Sequence, residues 1–253
     1  GSFGKGWTFG FEGSCKSYQY EVTNPDGSVS VKTLDLLKVV TLPNGSTLSF
    51  TGVNGQYTSN DSKNKLTQLP DGGYSLTTKN LDVYTFNPDG YLNGVVDSNG
   101  NAIRMTVDGA GHVTSVQDSA DRVYNVSYNA DGTISKITDP LGRSISYAYA
   151  NGLLTDVYNS QNQLLNHYDY DADGFLCQVV NGAGEVEQSI TYDKLTGENK
   201  NKVLTLTDAQ GKTHSLVYDT VGRTVTTTDS NGRTGIEWYT DAYQIIKSQD
   251  AEG

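Results

Sequence analysis

A step of 21 residues constrains this chain more than any other feature it has. Gly90, Gly111 and Gly132 are spaced by that step (111 − 90 and 132 − 111), and Asp97, Asp118 and Asp139 keep it. A fixed period near 20 marks an array in which one supersecondary unit is stacked on its neighbours. Within a period, Tyr124, Val126 and Tyr128 alternate with polar residues, Asn129-Ala-Asp-Gly132 supplies a turn, and Thr133–Thr138 runs back. Asp139-Pro-Leu-Gly-Arg143 then supplies a second turn. Alternation of this kind belongs to a strand with one buried face, and Asn, Asp and Gly are the residues that tight turns require. Asn151-Gly152 is the strongest two-residue hairpin signal, because both of its positions tolerate positive φ. The expected fold is all-β: stacked antiparallel β-hairpin repeats forming a curved sheet strip, open at the ends.

Residues 1–82 lack the 21-residue step and are expected to form a β-rich lead-in or capping segment. Residues 83–253 are expected to carry the repeats, about eight periods of them. Turn signals in the first part stand at Asn24-Pro-Asp-Gly27, Pro43-Asn-Gly45, Asn54-Gly55 and Asp71-Gly-Gly73. Leu34–Val40 reads as strand, because it is Val-rich and stops at Pro43. The polar stretch Thr58–Thr67 reads as a loop, and Trp7 as an apolar plug for an end of the sheet. In the last third, Tyr168-Asp-Tyr-Asp-Ala-Asp-Gly174 and Tyr192-Asp-Lys-Leu-Thr-Gly197 open units, and Glu198–Lys202 is an insertion. Gly211 and Gly232 restore the step (232 − 211). An array needs capped ends, and no polar cap precedes Gly253, so further repeats are expected beyond it.

Composition narrows the partners. The net charge of −11 disfavours a nucleic-acid partner, which would need a basic face. It also disfavours anionic membrane surfaces, and no apolar run approaches the roughly 18 residues of a membrane span, so no membrane insertion is expected. The hydrophobic fraction of 35% suits a thin sheet with one wet face better than a thick core. The 17 tyrosines fit a pleated, half-buried surface. The two cysteines, Cys15 and Cys177, belong to no metal or redox spacing. Cys177 alternates with Phe175 and Val179 as a small buried hydrophobe would, and whether the two cysteines are bonded stays open.

The dipeptide Tyr-Asp stands at Tyr168-Asp169, Tyr170-Asp171, Tyr192-Asp193 and Tyr218-Asp219. Tyr218–Arg223 matches the pattern Tyr-Asp-x-x-Gly-Arg, and Asp139–Arg143 matches Asp-Pro-x-Gly-Arg. These residues resemble the YD-repeat, or RHS-repeat, family of bacterial polymorphic toxin shells, toxin-complex subunits and teneurin-like proteins. Gly4-Lys-Gly-Trp7 and Leu42–Phe50 are similar to the segment before the first repeats. The resemblance implies a secreted or cell-surface β-shell that encloses or presents a C-terminal toxin-like polypeptide, so its partner is the rest of the same polypeptide, further repeats and cargo. No enzyme activity is expected, because no G-x-S-x-G, H-E-x-x-H or P-loop pattern is present. An alternative use is adhesion, with a Tyr-rich sheet face binding glycans or protein receptors.

No catalytic, cofactor-binding or metal-binding residue is assigned. Asp169-x-Asp171-x-Asp173-Gly174 copies the first half of a calcium loop, but its twelfth position is Val180 rather than Glu. It reads as a repeat turn with Asp side chains on backbone N–H groups. Asp139-Pro-Leu-Gly resembles the self-cleaving end of such shells, yet it is mid-chain and followed by Arg143, as a repeat turn is. His112, His167 and His214 lie in different units, whereas a metal site needs convergent ligands.

Overall fold

The computed structural model describes residues 1–53, 55–59, 63–195, 197–240 and 245–250. All described regular structure is antiparallel strand, and the 22 strands belong to one open sheet. The chain packs as two compact units, Gly1–Tyr147 with Asn151–Leu153, and Ala148–Ala150 with Leu154–Gly253.

The first unit opens with β1 (Ser14–Thr23), β2 (Val29–Thr41), β3 (Thr47–Val53), β4 (Gln56–Ser59), β5 (Lys65–Gln68) and β6 (Tyr74–Thr77). It continues with β7 (Val83–Phe86), β8 (Leu92–Val96), β9 (Ala102–Val107), β10 (Val113–Gln117), β11 (Val123–Tyr128), β12 (Ile134–Thr138) and β13 (Ser144–Ala150). Each pairs with the next in sequence. The expected strand at Leu34–Val40 lies in β2. The expected loop at Thr58–Thr67 is corrected: Thr58 and Ser59 close β4, and Lys65–Thr67 lie in β5. These strands are so short that a single apolar residue, Leu66, flanked by Lys65 and Thr67, marks the buried face, and Leu66 is fully buried. Asn54 and residues 60–62 lie outside the described residues, so the Asn54-Gly55 turn is seen only at Gly55.

The register sets one apolar row across the strands: Tyr57 opposite Leu66, Leu66 opposite Leu76, Leu76 opposite Tyr84, Tyr84 opposite Val95, and Val95 opposite Ile103. The row runs on through Met105 and Val116, then Val126, Ile137 and Ile145. Cross-strand pairs of this kind are what stabilise a sheet. A second layer covers the row. Residues 1–13 form a strap of successive turns whose Phe9 is buried, with Phe3 and Phe11 packed against the same core. Phe9 meets Phe3 edge-on at 5.5 Å and Phe11 at 5.3 Å, and Phe3 meets Tyr147 at 4.9 Å. The strap backbone is tied to hairpin ends. The N–H of Ile134 donates to the Ser2 carbonyl at 2.7 Å and that of Leu92 to the Gly13 carbonyl at 2.9 Å. Lys5 donates to Gly152 at 3.0 Å.

The second unit holds β14 (Leu153–Tyr158), β15 (Leu164–Tyr170), β16 (Leu176–Asn181), β17 (Val186–Tyr192) and β18 (Val203–Asp208). β19 (Thr213–Asp219), β20 (Thr224–Thr228), β21 (Thr234–Tyr239) and β22 (Ile245–Gln249) follow. From β14 onward each pairs with the next. One face carries Tyr168 opposite Val179, Ile190 opposite Leu206 and Tyr218 opposite Val225. The other is a hydroxyl ladder, with Thr191 opposite Thr205, Thr205 opposite Ser215 and Ser215 opposite Thr228. Leu154 and Val157 are buried, and no described residue after Val157 is. A single layer leaves both of its faces within reach of water, so its apolar side stays half-exposed.

Candidate functional site

The repeated side chains are placed by two kinds of turn. At Asn151-Gly152 both residues have positive φ (53° and 75°), as a two-residue type I′ hairpin demands. The commoner turn spans Asp/Asn-x-x-Gly. The Gly132 N–H donates to the Asn129 carbonyl at 3.1 Å, the Asn129 N–H donates to the Thr133 carbonyl at 2.7 Å, and Gly132 has φ 81°. This is a type I turn closed by a left-handed residue. The register slips at the aromatic residue just before such turns, at Phe86, Tyr128, Tyr158, Tyr170 and Tyr192.

The aspartate of Asp-x-x-Gly-Arg is a turn clamp. Asp139 Oδ1 accepts the N–H groups of Leu141 at 2.9 Å and Arg143 at 2.8 Å. Its Oδ2 receives Arg143 Nε and Nη2, each at 2.7 Å. Asp118 with Arg122 and Asp229 with Arg233 repeat the arrangement. At Asp97 the closing residue is Asn101, whose amide reaches Oδ2 at 2.8 Å. The Arg233 backbone N–H and then its guanidinium hold the Asp229 carboxyl down at about 2. Asp139 is thus fully engaged as a repeat turn.

The tyrosine of Tyr-Asp or Tyr-Asn does a different task. The Tyr128 hydroxyl donates to the Val113 carbonyl at 3.0 Å, that of Tyr170 to Leu154 at 2.7 Å, and that of Tyr192 to Leu176 at 2.7 Å. The acceptors open the strand one hairpin upstream, so each tyrosine stitches its hairpin to the preceding one. Sequence reading placed these tyrosines as packing residues and missed the hydroxyl tie, because its partner lies 15 or 16 positions away.

The calcium-like stretch is occupied from within. Asp171 Oδ1 accepts the N–H groups of Asp173 and Phe175, as a repeat turn predicts. The Lys194 ammonium sits on Asp171 at 2.7 Å and Asp173 at 2.8 Å, and 4.5 Å from the Phe175 ring centroid. Each of two histidines has its own local carboxylates. His112 faces Asp108 and stacks on Tyr128. His167 is bracketed by Asp156 on Nδ1 at 2.7 Å and Asp169 on Nε2 at 3.2 Å, which raises its pKa, chiefly through the bond to Asp156. That bracket is a product of register, since Asp156 stands directly opposite His167. Among the described residues no three His, Cys, Asp or Glu side chains converge as a metal site would need. Both cysteines are free thiols, and burial pushes Cys15 up to about 12.

Two surfaces remain. The far half of the β1–β2 hairpin is exposed, and there Tyr18 and Tyr20 stack at 6.3 Å, 42% and 40% exposed. In the second unit a cavity of about 250 Å³ opens on the apolar face, lined by Lys202, Tyr218, Val225, Glu237, Tyr239 and Ile245. Among the described residues no helix is long and apolar enough to cross a membrane.

A sequence model described as "Teneurin YD-shell" matches residues 73–236. Teneurin-1 of Homo sapiens and Teneurin-1 of Mus musculus are each 24% identical over 200 residues, covering 73% of this chain. The chain spans 7% of the length of those relatives. A crystal structure of TcdB2-TccC3-Cdc42 superposes over 90% of this chain and 15% of its own, at 13% identity and a TM-score of 0.44. A Photorhabdus luminescens Tc holotoxin pore superposes over 94% of this chain and 19% of its own, at 14% identity and a TM-score of 0.27.

Proposed function

The chain belongs to the teneurin YD-shell family, and on that premise we propose that it is a non-catalytic length of shell wall that encloses or presents a C-terminal toxin-like part of its own polypeptide. One observation carries this reading: the side chains that the repeat keeps are engaged with the chain itself. Asp139 and Arg143 clamp a turn, and Tyr170 and Tyr192 tie hairpin to hairpin. A nucleophile–base–orienter set needs polar groups aimed at a common reacting atom, whereas these are aimed at backbone. The natural setting is a secreted or cell-surface protein, with further repeats and the cargo as partners.

Limited proteolysis of the complete parent polypeptide, read by mass spectrometry, tests it. Enclosure predicts that a C-terminal segment survives in the native protein and is digested after denaturation. Equal digestion in both states sinks it.

The stacked Tyr18–Tyr20 pair supports a second reading, adhesion, because exposed aromatic rings offer flat apolar surface beside polar hydroxyls. Glycan-array binding that disappears in Tyr18→Ala/Tyr20→Ala favours it, and binding that is absent or indifferent to the pair removes it.

A further inference from the structure

We propose that a polar cavity of about 410 Å³ in the first unit, between β1, β2, β6 and the turn at Pro88–Gly90, binds a carboxylate group with Lys38 as its counter-ion. Lys38 stands where the sheet otherwise keeps apolar residues. Val40, two positions on along β2, and Phe50, opposite Lys38 on β3, are both fully buried. Lys38 itself is only 8% exposed. Its hydrocarbon stem suits those neighbours, but its ammonium does not, because a charge withdrawn from water is costly unless it is paired. The ammonium has three donors. It meets the Ser17 hydroxyl at 2.7 Å and the face of Tyr74, 5.2 Å from the ring centroid, and neither is an anion. Among the described residues no ion pair includes Lys38. Asp35 reaches it only through Ser17, whose hydroxyl donates to Asp35 Oδ1 at 3.0 Å. Cys15, in the cavity wall, supplies no counter-charge, since burial pushes its thiol up to about 12. The other charged side chains on the wall, Lys16 and Asp89, are exposed and opposite in sign. The charge left unmatched is therefore the buried one. One positive charge calls for one negative charge, which a carboxylate carries and a phosphate exceeds. Gln19 and Thr33, paired across the hairpin on the cavity wall, add donors for the second carboxylate oxygen. The argument does not rest on the shell-wall reading.

The complete 253-residue chain, with isotope-labelled lysine, is titrated with sodium acetate against sodium chloride at equal ionic strength and followed by NMR. A second arm uses the blocked peptide acetyl-Gly-Glu-Gly-amide against its Gln counterpart, and a third uses inorganic phosphate. The Lys38 side-chain signal is identified by through-bond correlation, so the titration needs no variant. The expected result is a saturable shift of Lys38 with both carboxylates and none with chloride or the Gln peptide. Tighter binding of the Glu peptide than of acetate assigns the carboxylate to a polypeptide side chain, and the reverse assigns it to a free small acid. Acetate is also expected to raise the Tm of the parent sequence above its value in chloride, and to leave that of Lys38→Met unchanged. A Lys38 signal that does not saturate with either carboxylate, that follows chloride equally, or that saturates with phosphate in preference to both overturns the proposal.

Discussion

The Tyr170 hydroxyl donates to the carbonyl of Leu154, sixteen residues earlier, at 2.7 Å. Tyr192 and Leu176 repeat that geometry at the same distance. Deleting the hydroxyl removes one hydrogen bond and strands a carbonyl on Leu154, whose residue is 3% exposed. Tyr170→Phe is expected to cost about 1–2 kcal/mol, seen as a lower urea midpoint at unchanged slope. A loss within experimental error removes the tie from the list of stabilising contacts.

Phe9 is the strap's most buried side chain at 6% exposure. Phe9→Ala is expected to destabilise the first unit by about 3–5 kcal/mol. Hydrogen exchange should show the loss in β9–β12 and leave β19–β21 unchanged; equal loss in both units argues against a local strap.

Leu81 occupies a left-handed position (φ 69°) and is exposed. A side chain there costs about 1–2 kcal/mol, and glycine gives back about 0.5–1 in chain entropy. Leu81→Gly is therefore expected to stabilise by about 0.5–1 kcal/mol. A lower melting temperature contradicts it.

Asp229 has a folded pKa of about 2, below its ordinary 3.8, set by the backbone N–H and then the guanidinium of Arg233. A depressed carboxylate stabilises the folded state above its unfolded pKa and loses that effect as pH falls through the folded one. Acid titration of stability between pH 4 and 2 is expected to be shallower in Asp229→Asn than in the parent sequence. Identical slopes would show that the clamp is not formed in solution.

His167 has its pKa raised above 6.5, first by the bond to Asp156. A raised histidine stabilises below its unfolded pKa and stops doing so as pH rises through the folded value. NMR titration of its ring should give a midpoint above 6.5 that drops in Asp156→Asn.

What could be read from the sequence was local. Asn151-Gly152, Asp139–Arg143 and Asn129–Gly132 announce their turns because each turn is made by neighbours in the chain, and the alternation around Tyr124–Tyr128 fixes which side chains share a face. The resemblance carried by Tyr218–Arg223 and Asp139–Arg143 led to the family. What escaped depends on pairs that only register creates: Tyr170 on Leu154, His167 between Asp156 and Asp169, and Phe9 on Val116 and Val126. The end of β4 and most of β5 fall in Thr58–Thr67, which reads as loop because one buried leucine among Lys, Thr, Asn and Ser is too weak a period to recognise.

The tyrosine-to-carbonyl tie also limits how such a wall can change length. A strand that gains or loses one residue turns its apolar row outward and pulls its tyrosine off the upstream carbonyl. Lengthening is therefore tolerated in whole hairpins, or where no tie passes. The stretch Glu198–Lys202 obeys this: it lies between β17 and β18, beyond Tyr192, whose bond is already made, and before Val203, where the next strand begins. Inheritance of such a chain works like a zip fastener: teeth are added in complete pairs, and slack is allowed only between them.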